Sequence, residues 1–183
     1  KEFSPNLGLR NAQARIDILK SIDFVEFVAL HMTEQKFENG QYLFARERSQ
    51  ADAHQARYRQ QALDILAREN PQMGRSELER DFAAQIEKLI TSRRTFDPVT
   101  KRWDPIEKMG LWQEDYIRGV AARIERAYVV EQPKDTQIVR VTVASDDPVR
   151  VVEIANAFTD AAIYYNLELD LRTLEAFQRR IRS

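Results

Sequence analysis

Apolar residues recur at spacings of three and four along most of this chain, and the pattern changes to alternation only at residues 127–131 and 137–144. Spacings of three and four line one side of a helix, whereas alternation lines one face of a strand. A chain patterned this way folds as a mostly helical α+β domain. The expected architecture is a small β-sheet base packed by helices, with a long C-terminal helix projecting from the base. The 5 glycines and 6 prolines are few enough for long helices and too few for a turn-rich sandwich. At 183 residues and 43% hydrophobic content, the chain can bury one sizeable core.

The first stripe predicts helix over Leu9 to Met32, with Ile16 and Leu19 on its face and a phase break near Ser21 that caps a second helix. Glu38-Asn39-Gly40 is a turn signal. A polar helix is predicted over Ser49 to Glu69 and ends at Asn70-Pro71, because the residue before proline avoids helical geometry. Ser76-Glu77-Leu78-Glu79 reads as a capping box. It starts a helix whose apolar face is Leu78, Phe82, Ile86, Leu89 and Ile90, and the two helices form a hairpin. Thr95 to Gly110 is the longest predicted loop. Leu111 to Arg126 is helical, with Trp112, Tyr116, Val120 and Ile124 in register.

Ile138, Val139, Val141 and Val143 supply the β-branched strand pattern, and residues 132–136 turn it back on the preceding strand. Asp147 then caps a last helix with Pro148 at its first position. That helix is expected to run to Ile181, about 50 Å at ~1.5 Å per residue.

The composition excludes several classes of chemistry. There is no cysteine, so disulfides, thiolate metal sites and cysteine nucleophiles are ruled out. A net charge of −1 gives no electrostatic reason for a nucleic-acid partner. No Walker loop, zinc-protease motif or nucleophile elbow occurs, and no cofactor site is visible. The two histidines, His31 and His54, read as structural residues. Asp146 and Asp147, like Glu114 and Asp115, read as helix-start acids. Trp103 beside Lys101 and Arg102 reads as a loop aromatic packed back on the core. No catalytic, cofactor or metal residue is assigned. No apolar run reaches the ~18 residues of a membrane span.

Two stretches carry a resemblance. The stronger runs from Gln137 to Leu169: an apolar strand, then Ser145-Asp146-Asp147-Pro148, then Ile154-Ala155-Asn156-Ala157, then Tyr165-Asn166. The weaker is Ile16-Asp17-Ile18-Leu19-Lys20-Ser21 and the apolar helix after it. Together they cover about a third of the chain and resemble the periplasmic domain of Wzz-type chain-length determinants, the polysaccharide co-polymerases.

The resemblance implies a single domain over 1–183, with 33–126 as a helical insertion-like segment and 127–183 as a strand–strand–long-helix unit. It implies a non-catalytic, excised domain on the periplasmic face of the bacterial inner membrane, anchored by flanking segments that lie outside this chain. The implied partners are further copies of itself (a homo-oligomer), the polysaccharide polymerase and export proteins, in some members a tyrosine kinase, and the polysaccharide. The implied role is control of the chain length and export of a surface polysaccharide such as O-antigen, capsule or exopolysaccharide. Two other classes compete with it: a periplasmic adaptor or coiled-coil scaffold of a membrane transport machine, and a carboxylate-based glycan hydrolase.

Overall fold

The computed structural model describes residues 6–97, 99–100, 102–103, 109–134, 136, 138–148, 151–165 and 178, with the side chains of 6–12 and 102 set aside. Its elements are α1 (Asn6–Leu19), α2 (Ile22–Met32), α3 (Ala45–Ala53), α4 (Gln55–Glu69), α5 (Arg75–Asp81), α6 (Ala83–Thr91), β1 (Phe96–Asp97), β2 (Arg102–Trp103), α7 (Leu111–Ala127), β3 (Tyr128–Glu131) and β4 (Arg140–Val143). A last helix, α8, spans 151–165. The chain is thus mostly helical with a small antiparallel component, as the pattern of spacings predicts. It forms two compact units. The first combines Lys1–Leu43 with Val120–Ser183, and the second is Phe44–Gly119.

In the first unit, α1 hands over to α2 at Ser21. The Ser21 hydroxyl accepts a hydrogen bond from Phe24 N at 3.2 Å, which satisfies one of the orphan amides of the α2 first turn. Asp23 adds a favourable charge there. Phe24, Val25, Val28, Ala29 and Met32 of α2 are buried nearly all round, as expected of a core helix. The predicted turn follows: Phe37 N donates to Gln41 O at 2.8 Å, and Gly40 adopts φ 82°, which only glycine takes without strain.

Strands β3 and β4 pair antiparallel in the register Tyr128–Val143, Val129–Thr142, Val130–Val141 and Glu131–Arg140. The ladder places Val130 inward, while Val129 and Thr142 face out. β4 begins at Arg140, three residues later than the apolar run suggests. The α1 helix packs on β3, and the Tyr128 hydroxyl donates to Leu19 O at 3.0 Å.

In the second unit, α4 packs against both α5 and α6, which is the predicted helical hairpin. Four local expectations need correction. The polar helix starts at Ala45 and breaks at His54, whose backbone (φ −93°, ψ 15°) lies outside helical geometry while its side chain reaches across to Asp115. The α5 cap is Gly74 rather than Ser76. Glu77, not Glu79, is the third helical residue and accepts from Gly74 N at 3.3 Å, so Ser76 lies inside the first turn.

The helix expected over Leu78 to Ile90 divides at Phe82. In one continuous helix Leu78 and Ile86 would point about 80° apart. The division lets both be buried, at 1% and 2% exposure. Finally, the predicted loop after Thr95 contains a short ladder, Phe96 opposite Trp103 and Asp97 opposite Arg102. Trp103 is buried there, its ring 5.4 Å from that of Phe96. Lys101 lies outside the described residues.

Candidate functional site

The residues of the two resembling stretches lie in the first unit, where they support one another. Ser145 Oγ accepts from Asp147 N at 3.3 Å, which tightens the turn out of β4. Val151 N donates to Asp147 O at 2.9 Å, so the carbonyl of Asp147 takes the first bond of the last helix, as an N-cap residue does. Pro148 is already helical, where its missing N–H costs nothing.

Beyond that start, Ile154, Ala157, Phe158 and Ala161 are buried, Ala155 is half-buried and Asn156 is exposed. Tyr165 is half-buried. Asn166 and the expected continuation through Leu169 and Leu174 to Ile181 lie outside the described residues, apart from Gln178, which is helical and exposed. On the other stretch, Ile16 is buried, Leu19 half-buried and Lys20 exposed.

These stretches meet in a cluster of rings. Phe24 of α2 lies edge-on to Phe158 at 5.4 Å and to Tyr165 at 5.2 Å. Phe27 meets Tyr165 at 5.1 Å, and Tyr128 of β3 meets Phe158 at 5.4 Å. Edge-to-face contacts at these separations are favourable beyond the area they bury. The face of α8 that carries Phe158 therefore packs on both the sheet and α2. His31 sits at the end of this wall, buried with its ring 5.3 Å from that of Tyr164. Burial pushes the His31 imidazole below its ordinary pKa, partly opposed by the Asp160 carboxylate.

The second unit holds a group of titratable side chains centred on Asp115, just past the first turn of α7. Its carboxylate accepts from Tyr58 Oη at 2.6 Å, from Arg57 Nη2 at 2.8 Å and from His54 Nδ1 at 2.9 Å. Partial burial pushes the Asp115 pKa up, but the bonds from Tyr58, His54 and Arg57 outweigh it and hold the carboxyl below its ordinary range. Burial, and then the bond to Asp115, push the buried Tyr58 phenol well above its ordinary range.

A carboxylate engaged by three donors is a poor base, and a phenol held protonated is a poor nucleophile. What the group does physically is brace the start of α4 against the start of α7. One turn away the same brace continues. Trp112 Nε1 donates to Asp52 at 2.8 Å, and Arg93 lies 4.1 Å over the indole. Among the described residues no group of three or more His, Cys, Asp or Glu side chains is arranged to hold a metal ion.

Reading Asp115 only as a helix-start acid misses this hub. The available signal was spacing: His54, Arg57 and Tyr58 fall at i, i+3 and i+4, on one face of a helical turn, as do Trp112, Asp115 and Tyr116. Comparison with known proteins adds nothing to this geometry: no family model, curated protein or solved structure matches the chain.

Proposed function

We propose that this chain is the non-catalytic periplasmic domain of an inner-membrane polysaccharide co-polymerase, which oligomerises and regulates the chain length and export of a surface polysaccharide. One observation carries the reading. The two stretches that resemble this family, far apart in sequence, pack into one unit through Phe24, Phe27, Phe158 and Tyr165. In support, the strand, Asp147-Pro148 start and helix occur in the order and geometry that the resemblance implies.

The proposed mechanism is geometric. Protomers pack about an axis, with the β3–β4 hairpin and α8 in the base of each. The assembly presents a wall of helices that organises the polymerase, the export proteins and the growing chain. Attachment to the membrane comes from flanking segments. No bond is made or broken in this domain. The test is a gel of surface or secreted polysaccharide from the source bacterium with and without the parent gene. A changed length distribution with unchanged sugar composition supports the proposal, and an unchanged distribution overturns it.

A further inference from the structure

In the second unit a half-open groove of about 490 Å³ runs between α4, α6 and the start of α7. Its walls are aliphatic: Ile65 of α4, Leu89 of α6, then Met109 and Leu111. The groove is built rather than incidental, because the α6–α7 junction beside it is pinned. Gly110 N donates to Ser92 O at 2.8 Å. The Gln113 side chain accepts from Arg94 N at 2.7 Å and donates to Arg94 O at 3.1 Å. A side chain at Gly110 would stand 2.5 Å from Ile90 O, so the backbones meet there as closely as they can. A volume in this range suits a small ligand rather than a protein helix, and small-ligand sites are usually pre-formed and mostly apolar.

The charge of the lining selects the occupant. Among the described residues that line it, Lys88 is the single charged one and none is acidic. Lys88 is exposed and takes no carboxylate partner among the described residues. Ser92, four residues on from Lys88, also lines the groove. An aliphatic channel with one uncommitted ammonium at its edge is complementary to an alkyl chain that ends in an anion. We infer that this groove binds a single-chain anionic amphiphile, with its tail against Ile65, Leu89, Met109 and Leu111 and its carboxylate on Lys88. This site is independent of the co-polymerase reading.

The experiment is calorimetric titration of the whole chain with decanoate below its micelle concentration, with decanol and acetate as controls. The expected result is one saturable site for decanoate, no binding of acetate, and decanol weaker by about three- to tenfold for loss of a charge-assisted contact at an exposed rim. Lys88→Gln, a surface change that leaves the fold intact by circular dichroism, lowers decanoate affinity by the same factor and leaves decanol unchanged. Ala84→Trp, which fills the groove from α6, removes both. Equal binding of decanoate and decanol, or decanoate binding indifferent to Lys88→Gln, assigns the groove to an uncharged occupant and overturns the inference. Absence of saturable decanoate binding overturns it outright.

Discussion

Phe158→Ala is the sharpest perturbation of the packed wall in the first unit. Phe158 is 4% exposed and lies 5.4 Å from the rings of both Phe24 and Tyr128. Truncation removes the buried ring and leaves a cavity between helix and sheet, which costs about 3–5 kcal/mol. That is a large share of the ~5–15 kcal/mol that stabilises a typical domain. Phe158→Leu keeps most of the volume and costs about 1 kcal/mol. Urea unfolding followed by far-UV circular dichroism reads both values.

A double-mutant cycle of Phe158→Leu with Phe24→Leu then isolates the ring contact, with an expected coupling of about 0.5–1.5 kcal/mol. A cost below about 1 kcal/mol for Phe158→Ala, with an unchanged urea slope, would refute the packing argument. Zero coupling in the cycle would refute the edge-on contact alone.

Three further outcomes are expected. The folded-state pKa of His31 is depressed, so below about pH 6.5 the unfolded chain binds more protons than the folded one. Its contribution is complete above that pH and is lost as pH falls toward the folded value, and His31→Phe flattens the slope of stability between about pH 7 and pH 5. Asp115→Asn turns an amide toward three donors and costs about 1–3 kcal/mol in thermal or urea unfolding, whereas Arg57→Ala, whose side chain is 48% exposed, costs under about 1 kcal/mol. Gly110→Ala forces a methyl to 2.5 Å from Ile90 O and 2.7 Å from Ser92 N, and destabilises the α6–α7 junction by about 1–3 kcal/mol, measurable as accelerated amide exchange there.

The helix faces, the Ser21 cap, the stop at Asn70 and the β3–β4 hairpin were legible in the sequence because each depends on local periodicity or on one short-range hydrogen bond. The breaks at His54 and Phe82 were not, since both answer to partners elsewhere in the fold. His54 reaches Asp115 across 61 positions, and Phe82 marks where the helix shifts phase so that Leu78 and Ile86 are both buried. Gly74 displaced Ser76 as the α5 cap because Glu77 reaches the backbone of Gly74, an option that a search for Ser followed by Glu overlooks. The same dependence on distant partners concealed the Asp115 hub, whose three donors come from the α3–α4 break and the start of α4. The division near Leu43 and Gly119 left no mark in composition, because the second boundary falls inside the continuous helix α7.

The central claim is that this domain acts through assembly rather than through a reactive group. The polar cluster in the second unit offers the direct test, because the His54 side chain is open to solvent, at 43% exposure. Strains that lack the parent gene are complemented with the wild type, His54→Ala or Phe158→Ala, and the length distribution of their polysaccharide is compared on one gel, with oligomer size measured alongside. The account predicts a wild-type distribution for His54→Ala and an altered one for Phe158→Ala, which damages the packing of α8 on α2 and β3. A His54→Ala protein that folds and assembles normally yet abolishes length control would contradict it.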